Sequence, residues 1–133
     1  MKKYSKKIEQ RAIDINKSII DSLLLMERIS TKLLLVFKEN SFKGVVSIGD
    51  IQRSVIKNIP MNSSIEVVMR NKFTYASISD EKIDIKHKMI EQRIECMPVL
   101  DEKGELVDVI LWEELFQARA TELGHQPDAR CLA

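Results

Sequence analysis

The chain has 133 residues, 44% of them hydrophobic, with 21 Lys and Arg against 20 Asp and Glu, a formal net charge of +1. That length buries one good core, and the balanced charge argues against a nucleic-acid binder, which carries a basic excess or stripe. No stretch reaches the ~20 apolar residues that span a bilayer, and Ile8-Glu9-Gln10-Arg11 interrupts the basic start before a signal-peptide core develops, so a cytoplasmic protein is expected.

In chain order, residues 1–11 form a basic lead-in or frayed helix whose Lys2, Lys3, Lys6 and Lys7 read as a solvated tail, with a phosphate-contact arm as the alternative. Asn16 is a suitable N-cap for a helix to about Arg28, with Ile19, Ile20, Leu23, Leu24 and Met26 in its apolar pattern. Lys32 to Phe37 reads as a buried strand, Glu39-Asn40-Ser41 as a turn, and Phe42 to Ser47 as the returning strand. A helix follows with Ile48, Ile51, Val55 and Ile56 on one face. Asn58 to Asn62 breaks it around Pro60, and a short helix near Ser64 to Met69 and a strand at Phe73 to Ala76 come next. Asp80 is the expected cap of a helix to about Arg93. Beyond it lie a strand at Cys96 to Leu100, a turn to Gly104, a strand to Leu111 and a helix from Trp112 to Ala118. From about Glu122 the chain is polar and aperiodic, and a disordered tail is expected.

This order is one unit written twice. At a constant spacing of 64 residues, Lys32 to Val36 lies over Cys96 to Leu100, Phe42 to Val46 over Leu106 to Ile110, and Ile48 and Ile51 over Trp112 and Leu115. Ile19 pairs with Ile83 and Met26 with Ile90 in the same frame. Two periodicities kept in register point to a duplicated module with clefts between its halves. The expected division is 12–59 for the first repeat, 60–72 for a linker, 73–119 for the second repeat and 120–133 for the tail.

One constellation carries chemistry. In Gly44-Val45-Val46-Ser47-Ile48-Gly49-Asp50-Ile51 a strand hands over to a helix, and Ser47 and Asp50 fall on the same side of the helix start. Free amides and the positive end of the helix dipole favour an anion or polyhydroxy group there. Asp50 is suited to accept both hydroxyls of a ribose and Ser47 to donate to a phosphate. The same Ser-x-x-Asp is also a capping box that needs no ligand; the two readings are compatible, and both stay open.

The paired units, Gly-x-x-Ser-x-x-Asp at 44–50 and Met97-Pro98-Val99 on the second copy's strand resemble a tandem pair of cystathionine β-synthase (CBS) domains over about residues 12–118. Gly49 to Arg53 and the linker Ile59 to Met69 are similar to CBS pairs that precede sugar-phosphate nucleotidyltransferase domains. The resemblance implies an α+β fold of two βαββα repeats packed about a pseudo-two-fold axis, with two clefts. It also implies a non-catalytic regulatory module that binds an adenosine compound such as AMP, ATP, S-adenosylmethionine or NAD and controls an attached or associated enzyme, here a nucleotidyltransferase. Site residues carried over are Ser47, Gly49 and Asp50, with Val45 walling the base and Thr74, Tyr75, Met97 and Pro98 from the second unit. The alternative is a ligand-free module that dimerises through its helices, with Ile48, Trp112, Leu115 and Phe116 at the interface; a homodimer is expected under either reading.

In the second copy Leu111 stands for Ser47 and Glu114 for Asp50, so the second cleft is expected to be empty or structural. Around the first, Glu95, Cys96 and Glu113 occupy positions where phosphate-binding relatives place basic groups, which favours a ligand of low negative charge, or none. Arg53 reads as a surface or ion-pairing residue or a phosphate contact, Trp112 as packing or a base platform, and His87 as a satisfied or half-exposed histidine. Cys96 and Cys131 support neither a disulfide framework nor a zinc site. No nucleophile–base set, metal cluster or Gly-rich phosphate loop is present in the sequence, so no metal and no catalytic residue is expected.

Overall fold

Runs such as Leu33-Leu34-Leu35-Val36-Phe37, apolar at every position, are what a strand covered on both faces requires. The computed structural model describes residues 3–115 and places such strands at the centre of two three-stranded sheets. The tail with His125 and Cys131, Lys2, and the far end of the last expected helix with Phe116 lie outside the described residues.

The first unit is β1 (Ala12–Asp14), α2 (Ile19–Ile29), β2 (Leu33–Lys38), β3 (Ser41–Ser47) and α3 (Ile48–Ile56), preceded by α1 (Lys6–Gln10). The second is β4 (Ala76–Ser77), α4 (Lys82–Gln92), β5 (Cys96–Leu100) and β6 (Leu106–Leu111), with residues 112–115 helical. A 3-10 turn at Ile65–Val67 lies in the linker. In each sheet the lead-in strand runs parallel to the middle strand, which pairs antiparallel with the third. The α+β fold of two βαββα units is thus as expected from the sequence.

Strand alternation divides the core. Leu34, Val36 and Val46 pack on α2 and α3, and Met97 and Val99 pack on α4. The opposite faces, Leu35, Phe37 and Val45 of one sheet and Cys96, Leu100, Leu106 and Val109 of the other, form one shared cluster with Ile8 between the units. Lys32 and Glu95 occupy equivalent positions in their units, since their carbonyls accept from Ile48 and Trp112 respectively. They also pair with each other at 3.7 Å. Equivalent residues meet only beside the axis that relates the halves.

Four expectations are corrected. The repeat spacing is not constant: Leu33 matches Cys96 and Met26 matches Met89, a spacing of 63, whereas Ser47 matches Leu111 at 64. The second hairpin turn holds the extra residue, and both middle strands carry their register shift at the same place, Val36/Phe37 and Val99/Leu100. The cap of α2 is Ser18, in a capping box with Asp21, and not Asn16. α4 starts from Glu81 without a side-chain cap, because the Asp80 carboxylate accepts from the Ser77 amide instead. The lead-in is no solvated tail: α1 buries Ile8 at 1% exposure, and Lys7 reaches the second unit.

Candidate functional site

β3 ends at Ser47, whose extended backbone lets its hydroxyl accept from the Asp50 amide at 3.2 Å. Reciprocally, Asp50 Oδ2 accepts from the Ser47 amide at 2.8 Å and from the Ser47 hydroxyl at 2.9 Å. This is the capping box. Two guanidinium groups complete the ring: Arg53 Nη2 donates to Oδ1 at 2.6 Å, and Arg70 Nε sits 2.9 Å from Oδ1 and 3.1 Å from Oδ2. The Asp50 side chain is 4% exposed, against 61% for Arg53 and 44% for Arg70. Burial alone would raise the Asp50 pKa; the amide and hydroxyl of Ser47 and the two arginines outweigh it and hold the carboxyl below its ordinary value.

Arg70 comes from the linker, and the chain fixes it there by its backbone. Its amide donates to the Val45 carbonyl at 2.8 Å and its carbonyl accepts from the Val45 amide at 2.9 Å. Gly44 permits this approach, since a Cβ at that position would collide with the Arg70 carbonyl oxygen and the Met69 methyl. A glycine within a strand marks such a contact.

Next to this network a cleft of about 150 Å3 opens between the units. Its walls are Leu33 and Val45 of the first unit, Arg70, Phe73 and Thr74 of the connection, and Gln92, Ile94, Cys96 and Pro98 of the second. Pro98 explains the opening. In the first unit the Leu35 amide donates to the Arg11 carbonyl at 2.8 Å and extends the pairing of β1. Pro98 occupies the equivalent position and has no N–H, so β4 begins only at Ala76 and the chain at Phe73 and Thr74 stands off β5.

Of the residues singled out from the sequence, Val45, Thr74 and Pro98 line the cleft, while Ser47, Gly49 and Asp50 lie beyond Arg70, which touches both groups. Gly49 sits under the Arg53 guanidinium, where a Cβ would lie 3.5 Å from Nη1. Thr74 donates its hydroxyl to Gln92 at 2.9 Å. Met97 is turned to the opposite face of β5, fully buried with Ile85 and Met89, as strand alternation requires. Tyr75 is 47% exposed and rests edge-on against Phe73, outside the cleft wall. Glu95 pairs with Lys32 and stands outside the cleft wall, to which Arg70, paired with Asp50, brings a positive charge. Cys96 lines the cleft with its thiol pushed up to about 11 by burial. His87 is exposed on α4.

The equivalent position in the second unit is filled by the chain itself. Lys7 matches Arg70, and its Nζ donates to the Val109 carbonyl at 2.9 Å and to Glu114 at 3.0 Å, with Asp108 at 3.4 Å. Burial works against the charged amine, but Glu114 and Asp108 hold its pKa above the ordinary value. Ile8, next to Lys7 in the chain, is buried in the cluster that the two units share. A larger open groove of about 590 Å3 runs past Tyr4, Ile8 and Phe37, and none of the candidate ligand-binding residues lines it. Among the described residues no group of His, Cys, Asp and Glu is placed to hold a metal, and no helix is long and apolar enough to cross a membrane.

The CBS domain family model matches residues 64–121. Arabinose 5-phosphate isomerase GutQ of Salmonella typhi is 26% identical over 102 residues, 76% of this chain and 32% of the isomerase. Homoserine O-acetyltransferase of Methanococcus vannielii is 29% identical over 93 residues, 69% of this chain and 19% of the transferase. The chain therefore spans a third or less of either curated relative. Among solved structures, the CBS domain protein PAE2072 from Pyrobaculum aerophilum complexed with AMP superposes with a TM-score of 0.66 at 21% identity, covering 85% of this chain and 88% of that one. The second unit is thus matched by the CBS domain family model, and the described length is folded as that CBS domain structure is.

Proposed function

We propose that the chain is a regulatory module that binds an adenosyl ligand between its two units and thereby controls a catalytic unit to which it is attached or which it meets. The observation that carries this reading is the cleft built from both units and the connection between them. A ligand there makes contacts that depend on how the units sit, so it favours one arrangement over others and shifts the state of whatever the module touches. The bound AMP named for the Pyrobaculum protein supports an adenosyl ligand. The two curated relatives are named for unrelated reactions, an isomerisation and an acetyl transfer, yet both resemble this chain over about one hundred residues. That supports a shared segment that does something other than the chemistry. A sugar-phosphate enzyme is the class of controlled activity common to the isomerase relative and to the nucleotidyltransferase resemblance.

The base lies between Val45 and Pro98 with Thr74 at its edge, and ribose and phosphate extend toward Ser47, Gly49, Asp50 and the arginines. The cleft is smaller than the ~300–1,000 Å3 of enclosed small-molecule sites, so the sugar and phosphate sit at its mouth. Tyr75 and Met97 take no part. Thermal melting with AMP, ATP, NAD and S-adenosylmethionine tests the reading: a ligand at a hundredfold excess over its Kd stabilises by about 2.7 kcal/mol, a rise of several degrees. Thr74→Trp, which plugs the cleft, abolishes the rise. A panel in which no compound moves the melt, or one whose effect survives Thr74→Trp, would sink the proposal.

A second reading, a structural dimer, is favoured by one observation: Val55 and Ile56 at the end of α3 are 55% and 79% exposed. Of the residues first singled out, Ile48 is half-buried against the first core, and Trp112 and Leu115 are half-buried against that of the second unit. Light scattering of Ile56→Asp against the parent chain decides whether that apolar corner joins two copies.

A further inference from the structure

We infer that Arg53 and Arg70 latch Asp50 shut, and that the phosphate of the ligand releases it, so that the site takes phosphorylated adenosine compounds and rejects adenosine itself. The inference rests on the reading above and assigns the ligand class of the same site.

The geometry carries it. A ribose diol has two O–H donors to offer Asp50, but both carboxylate oxygens are already taken, by Ser47, Arg53 and Arg70. The Ser47 bonds belong to the helix cap and hold the carboxylate in place. The diol can therefore enter only where an arginine leaves. Each arginine bond is charge-assisted, about twice as strong as a neutral one, so a neutral nucleoside that displaces one exchanges a stronger bond for a weaker one. The guanidinium it displaces is also left without an ion partner.

A phosphate changes the balance. The Arg53 and Arg70 side chains are 61% and 44% exposed and free to turn, whereas the Asp50 side chain, 4% exposed, is not. Arg70 already lines the cleft, with its backbone clamped to Val45 on both sides. A guanidinium swung toward the cleft mouth meets phosphate oxygens in the two-pronged geometry it also uses for carboxylate. The exchange then keeps every charge paired: arginine passes from carboxylate to phosphate, and the ribose hydroxyls take the vacated oxygens. S-adenosylmethionine brings a sulfonium against two arginines and gains nothing from the exchange.

Calorimetric titration of the full chain with AMP, adenosine and S-adenosylmethionine tests the latch, beside Arg70→Gln. The parent chain binds AMP about tenfold or more tightly than adenosine, the size of one charge-assisted bond. In Arg70→Gln, AMP weakens, adenosine strengthens and the ratio falls toward one. Equal affinities in the parent chain, or an unchanged ratio in the variant, overturn the latch while leaving an adenosyl site standing. Binding of none of the three overturns both the latch and the site. Should circular dichroism show that Arg70→Gln does not fold, competition in the parent chain decides: ribose 5-phosphate displaces bound AMP and ribose does not, and equal competition by the two sugars overturns the latch.

Discussion

A single carboxylate shows how a cap and a site share residues. Asp50 completes the first turn of α3 through Ser47 and, with its remaining capacity, holds Arg53 and Arg70. Because its folded pKa is lowered, the unfolded chain takes up the proton first as pH falls. The stabilisation is therefore complete above the ordinary carboxylate range, near pH 4, and drains away as pH drops through the folded value. Asp50→Asn keeps the shape and most of the cap but loses the charge, so it is expected to cost about 2 kcal/mol at pH 7. The variant's deficit against the parent chain then shrinks between pH 5 and pH 3. Paired melts across that range check it, because every other carboxyl titrates in both proteins; a deficit independent of pH would mean that the arginines do not sense the charge.

At the scale of elements, the strands and helices were legible because their apolar runs and periodicities are strong, but the register between the repeats was not. Leu33 to Phe37 and Cys96 to Leu100 are buried along almost their whole length, so sliding one over the other by a residue leaves an apolar pattern intact. Alternation, which normally fixes register, is silent in strands covered on both faces. Arg70 was missed as a site residue because it stands twenty positions from Asp50, although Gly44 inside β3 was the available sign that another backbone comes close. Ile8 was missed because one apolar residue among lysines has no period. Pro98 was noticed for its motif, and its physical effect is on β4. Pro98→Leu, which copies Leu35 of the first unit, supplies the absent donor and is expected to lengthen β4 to Tyr75, raise stability by about 1 kcal/mol and narrow the cleft so that AMP binding weakens. Hydrogen exchange shows the change directly, as a protected amide at position 98; a variant with rapid exchange there and undiminished AMP binding would refute this account of the opening.

For the whole molecule, the decisive feature is that each unit packs one face of its sheet on its own helices and shares the other face with its neighbour. Leu35, Phe37 and Val45 meet Cys96, Leu100, Leu106 and Val109 in one cluster, Ile8 fills it from the lead-in, and Lys7 ties that lead-in to Glu114. Separating the units would expose this cluster to water at about 25 cal/mol per Å2 of apolar surface, a loss that a unit of some fifty residues has little stability to absorb. Both units should then unfold together. Trp112, the single tryptophan, packs at the second unit's core beside Leu115 and reports on that unit, while far-ultraviolet circular dichroism averages over all the helices. Urea transitions followed by the two signals are expected to coincide, with one midpoint and one slope. A ligand bound in the cleft, AMP in the proposed reading, should move both by the same amount, because that cleft is walled by both units. Independent units would show Trp112 fluorescence changing at a different urea concentration from the dichroism. A ligand that shifted one transition alone would then be reading one unit, and the coupling that the proposed regulation requires would be absent.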